Sequence, residues 1–77
     1  MRELVEYLIR ALVEHPDEVR VEEVESDGDV VLEVRVADDD LGRVIGRSGR
    51  VANAIRTIAK AAATHEDRRV MVEILED

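Results

Sequence analysis

Gly46 and Gly49 break what would otherwise be a single helical stretch of this 77-residue chain. Glycine is a poor helix former and adopts backbone angles closed to other residues. The chain must therefore turn between a short helix over Leu41–Ile45 and a longer one from about Arg50 to Thr64. The same stretch is set apart by charge. From Leu41 to His65 there is no Asp or Glu, but there are Arg43, Arg47, Arg50, Arg56 and Lys60, giving +5 against −13 for the remainder. A chain of net charge −8 repels polyanions as a whole. A basic island around two close glycines is expected where backbone meets phosphate.

The flanking elements follow from periodicity. Leu4, Val5, Leu8, Ile9, Leu12 and Val13 form one stripe of a helix over residues 3–14. Pro16 disfavours helical geometry at His15 and should end it. Val19-Arg20-Val21-Glu22 alternates as a strand, and the slip at Glu23-Val24 suggests a bulge or a frayed edge. Asp27-Gly28 is a two-residue hairpin signal. Beyond it, Val30 to Val36 reads as a second strand, with Leu32, Val34 and Val36 on one face and Val31, Glu33 and Arg35 on the other. Asp39 or Asp40 is placed to cap the short helix. The long helix should bury Val51, Ile55, Ile58 and Ala62 and show Asn53, Arg56, Thr57 and Lys60 to solvent. Arg68–Leu75 is a last strand with Val70, Val72 and Ile74 inward.

The order is α-β-β-α-α-β. A helical crossover returns the last strand parallel to the second. The expected fold is α+β, one domain over residues 1–77, in which a three-stranded mixed sheet carries three helices on one face.

Several function classes are disfavoured. There is no Cys, and neither His15 nor His65 has a second ligand at metal-site spacing, so no metal is expected. Asp38-Asp39-Asp40 is better explained by capping than by a cation. The glycines do not have Walker A or dinucleotide spacing, and no nucleophile has a plausible base, so neither cofactor nor enzymatic activity is expected. Tyr7 is the sole aromatic residue, which disfavours RNA binding by base stacking on a sheet. No apolar run approaches membrane-spanning length and no leader is visible, so a cytoplasmic protein with no membrane partner is expected.

The run Val44-Ile45-Gly46-Arg47-Ser48-Gly49-Arg50-Val51-Ala52-Asn53-Ala54-Ile55 resembles the KH-domain signature, in which V-I-G-x-x-G holds the GXXG loop. The element order resembles the type II, or prokaryotic, KH fold. Glu3-Leu4-Val5-Glu6-Tyr7-Leu8, Leu12-Val13-Glu14-His15-Pro16 and Ala54-Ile55-Arg56-Thr57-Ile58 extend the likeness to the minimal bacterial KH proteins of the KhpA family. The resemblance implies binding of single-stranded RNA, with roughly four nucleotides held along a narrow groove. Carried over to this chain, Gly46, Arg47, Ser48 and Gly49 meet phosphates. Val44 and Ile45 begin the groove floor, Arg43 and Arg50 flank it, and Arg68 and Arg69 follow the loop at its rim. The role implied is an RNA chaperone or post-transcriptional regulator. Alternatives are a protein-interaction module and a ribosome-associated factor. The resemblance also implies pairing, as a homodimer or a heterodimer with a larger KhpB (Jag/EloR)-like KH protein. The helix carrying Ile58 and Ala62 and the open sheet face are candidate contacts.

Overall fold

Asp27 and Gly28 reverse the chain with φ of 50° and 85°, the pair of positive values that a type I′ hairpin requires. In the computed structural model, which describes residues 1–76, this turn joins β1 (Arg20–Ser26) to β2 (Asp29–Arg35). Pairing is one-to-one from Arg20↔Arg35 to Ser26↔Asp29, so neither the bulge nor the frayed edge suggested at Glu23-Val24 is present. The alternation slips for another reason. β1 is an edge strand, and Glu23 and Glu25, on the same face as buried Val21, remain exposed.

β3 (Arg69–Ile74) pairs with the other edge of β2, parallel to it, which puts β2 at the centre of a mixed sheet. Three helices cover one face: α1 (Arg2–Leu12), α2 (Leu41–Ile45) and α3 (Arg50–His65). The architecture is the α+β arrangement expected. Val21, Val30, Leu32, Val34, Val70 and Val72 from the sheet pack with Val5, Ile9, Val44, Ile55, Ala59 and Ala63 from the helices in one core.

Two expectations about the helices need correction. The buried face of α3 is Ala52, Ile55, Ala59 and Ala63, not Val51, Ile55, Ile58 and Ala62. Val51 is partly buried, packed against the edge of the core and close to Gly46. The stripe is shifted, and Ile58 is 44% exposed. Three of the four residues facing the sheet are alanines, which lets α3 lie close against β3. Helix α1 ends at Leu12 rather than Glu14, and only Val5 and Ile9 of its stripe are buried. Val13 is already extended, at φ −98° and ψ 162°.

That early end has a specific cause. The backbone N–H groups of Glu14 and His15 donate to the two carboxylate oxygens of Asp40, at 2.9 and 3.0 Å. Asp40 is fully buried, and it is the only charged side chain that is, among the described residues. The aspartates therefore do not cap α2, which has no side-chain cap; Asp38–Asp40 forms a 3-10 turn. Burial alone would raise the Asp40 pKa. The two N–H donors, with the positive charges of His15 and Arg43 nearby, outweigh it and hold the pKa below the ordinary value of 3.8.

A depressed folded-state pKa makes Asp40 stabilising above the unfolded-state value. That stabilisation fades as pH falls through the folded-state value. Replacing Asp40 with Asn removes the charge and gives one N–H a donor to face. Asp40→Asn should lower Tm by about 5–10 °C at pH 7. The gap between wild type and variant should narrow below about pH 4. Thermal melting by circular dichroism across pH checks both; a gap that does not change with pH would show that the carboxylate charge is immaterial.

Candidate nucleic-acid interface

The turn between α2 and α3 is built from left-handed residues. Gly46 has φ 77° and ψ 169°, Ser48 has φ 56° and ψ 26°, and Gly49 has φ 75° and ψ 14°. The Gly46 N–H donates to the Gly42 carbonyl at 2.8 Å and closes α2, while the Gly49 N–H donates to the Gly46 carbonyl at 3.1 Å. The two glycines serve differently. A Cβ on Gly46 would lie 2.5 Å from Val51 Cγ2 and 2.8 Å from the Val51 nitrogen, so only glycine fits there. A Cβ on Gly49 would meet nothing nearer than Asn53 Nδ2 at 3.8 Å. Its need is for the backbone angle alone.

This turn leaves Arg47, Ser48 and Arg50 exposed around the start of α3, whose first turn no side chain caps. The positive end of the helix dipole therefore opens at the same place as two guanidinium groups. Among the described residues neither Arg47 nor Arg50 has a carboxylate partner. Arg43 differs from them. It pairs with Glu14 and lies 3.5 Å from Asp40 through Nε, so part of its charge is already answered. The absence of acids within the segment therefore does not leave all three loop arginines unpaired, because the fold brings Glu14 and Asp40 to one of them. Val44 is wholly buried and supports the loop from beneath, whereas Ile45 is half-buried beside Gly46.

Farther along α3, from Arg56 onward, a groove runs beside the β3 edge. Two adjoining hollows of about 170 and 440 Å³ share Lys60, Val70 and Met71. Arg56 and Val72 complete the first; Ala63, Thr64, Arg68, Arg69 and Asp29 complete the second. The floor is apolar and the rim is basic. Arg68 is tied to Glu25 across the hairpin, while Lys60 and Arg69 are exposed. Arg56, Lys60 and Thr64 recur at intervals of four, which puts them on one side of α3. That spacing was readable in the sequence. That this side runs beside β3 was not.

The open sheet face is mixed in charge: Glu22, Glu33 and Glu73 stand in one row across all three strands, with the Arg20 and Arg35 pair beside them. The basic loop and the groove rim belong to α3 and the β3 edge. Among the described residues no group of His, Cys, Asp or Glu could hold a metal ion, and no helix is long and apolar enough to cross a membrane.

Residues 2–74 match the family described as KhpA/KhpB, KH domain. A protein of Clostridium acetobutylicum named RNA-binding protein KhpA is 51% identical over 75 residues, covering 97% of this chain and all of that one. Proteins of the same name from Aquifex aeolicus and Chlamydia pneumoniae are 45% and 40% identical, covering 99% and 100% of this chain and 96% and 99% of their own. Among solved structures, Aquifex aeolicus Era bound to GDP.AlF4- superposes with a TM-score of 0.67 at 22% identity. The match covers 95% of this chain and 28% of that one, so it bears on the fold alone.

The two glycines should respond differently to a methyl group. Gly46→Ala brings a steric clash as well as backbone strain and should cost about 2–3 kcal/mol. Gly49→Ala brings strain with room to spare and should cost about 1–2 kcal/mol. Urea unfolding of both variants checks the order; equal losses would contradict the close packing of Val51 on Gly46.

Proposed function

The chain belongs to the KhpA/KhpB KH-domain family, and from that premise we propose that it binds single-stranded RNA through the GXXG loop and the groove beside β3. The observation that carries this reading is the loop itself. Arg47, Ser48 and Arg50 are exposed and, among the described residues, unpaired at the uncapped start of α3, on a turn that Gly46 and Gly49 make tight. Phosphates meet Arg47, Ser48, Arg50 and the backbone of Gly46 and Gly49. Bases descend past Ile45 into the groove between α3 and β3. Val44 supports the floor without touching the strand, and Arg43 contributes at reduced strength because it is shared with Glu14 and Asp40. The acidic remainder weakens attraction at long range, so binding is modest and strongly dependent on salt.

A protein of this kind acts as a cytoplasmic RNA chaperone or post-transcriptional regulator rather than as an enzyme. Pairing adds a second function, with itself or with a larger KhpB (Jag/EloR)-like KH protein. Ile58, turned to solvent on α3, favours such an interface. Two subunits engaging one RNA would offset weak contact by each. Analytical ultracentrifugation at micromolar concentration should show a dimer; a strictly monomeric mass at high concentration would remove the homodimer and leave only a heteromeric partner.

The loop reading is tested by charge reversal. Arg47→Asp with Ser48→Asp keeps both glycines and puts carboxylates where phosphates must sit. It should abolish binding to a short single-stranded RNA and leave the Tm within a few degrees of wild type. Unchanged affinity in a folded double variant would sink the reading. With three or four cationic contacts, the wild type should also show a log–log salt slope of about −2 to −3, at ~0.7 per neutralised phosphate. A flat response would place the arginines away from the RNA.

A further inference from the structure

Arg56 occupies an unusual position on the groove wall. Its Nε donates to the Val72 carbonyl at 3.1 Å, and its Nη1 donates to Asn53 Oδ1 at 3.2 Å. One bond reaches across to β3 and the other runs back along α3, so the half-buried guanidinium is held at two points. Its remaining N–H groups, both of those on Nη2 included, have no partner among the described residues. Arg56 walls the smaller hollow of about 170 Å³ with Lys60, Val70, Met71 and Val72.

The chemistry of this arrangement is an inversion. β3 is an edge strand, and its Val72 carbonyl would otherwise offer an acceptor to whatever enters the groove. Arg56 covers that acceptor and presents donors in its place. Lys60, exposed on the same wall, is also a donor only. A base that offers acceptors is then favoured. Guanine does so with O6 and N7 side by side, the edge that a guanidinium matches with two hydrogen bonds. Adenine keeps N7 but replaces O6 with an amino group, which would set donor against donor.

Resting on the RNA-binding reading, we infer that Arg56 makes this hollow a guanine-selective base site within the bound single strand. Val70, Met71 and Val72 supply the apolar wall against which the base lies. Arg56 reads its edge, and Asn53 orients Arg56.

The test uses eight-nucleotide RNAs of uridine with one central base varied: guanine, adenine, inosine or 7-deazaguanine. Affinity is measured by fluorescence anisotropy with the full chain. The guanine and inosine RNAs, which share O6 and N7, should bind about tenfold more tightly than the adenine RNA. The 7-deazaguanine RNA lacks N7 and should fall towards adenine. In Arg56→Leu and Arg56→Met, which remove the donors, the ratio of guanine to adenine affinity should drop to about one. The base analogues need no variant, so the inference stands or falls even if both substitutions unfold the chain. Equal binding of guanine and adenine RNAs by wild type, or a preference that survives in Arg56→Leu, overturns the inference and leaves the loop reading intact. Failure to bind any of the four overturns both.

Discussion

The Asp40 carboxylate, sealed from solvent with two backbone N–H groups on its oxygens, is the contact on which the presentation of the loop depends. Glu14 and His15 follow α1, and Asp40 closes the 3-10 turn that leads into α2, so these two bonds join the exit of one helix to the approach of another across 25 and 26 residues of chain. A buried carboxylate is costly unless it is fully satisfied, and this one is satisfied by backbone. Backbone donors cannot swing away as side chains can. The position of α2 is thereby tied to α1, and the turn at Gly46 starts from a fixed point.

Two close approaches carry that placement onward. Gly46 lies against Val51, which fixes the angle between α2 and α3. The alanine face of α3 then seats the helix on the sheet beside β3. The result is a basic loop at the start of α3 and, farther along the same helix, a groove whose far wall is a strand edge. The acids that dominate the composition lie largely elsewhere, with Glu22, Glu33 and Glu73 aligned across the open sheet face. Like charges directly opposite on neighbouring strands are unfavourable. Arg20 and Arg35, paired beside the row, temper that repulsion.

Much of this was legible in the sequence because it is local. The Asp27-Gly28 turn, the order of elements, the parallel return of β3 and the break at Gly46–Gly49 follow from spacing and from residues with one dominant use. What escaped depends on partners distant in the chain. Asp40 reads as a helix cap by local rules, and its true partners lie at Glu14 and His15. Arg43 reads as a free cation until the fold delivers Glu14. The buried stripe of α3 was misplaced by one position because alanine and isoleucine compete for the core. How the sheet seats α3, which decides between them, is tertiary. The bulge expected in β1 came from reading an apolar residue as inward, whereas Val24 stands partly exposed on the open face. The role of Arg56 was hidden because nothing in the sequence places it against the Val72 carbonyl.

The central claim is that RNA runs from the GXXG loop into the groove beside β3. Mapping backbone amide shifts by nuclear magnetic resonance, while titrating a short single-stranded RNA, tests it most directly. The account predicts that the largest changes fall at Ile45 to Arg50, along Asn53, Arg56 and Lys60, and at Arg69 to Val72, with Glu22 and Glu33 on the open sheet face unmoved. Shifts centred on Glu22, Glu33 and Glu73, with the loop unmoved, would contradict it.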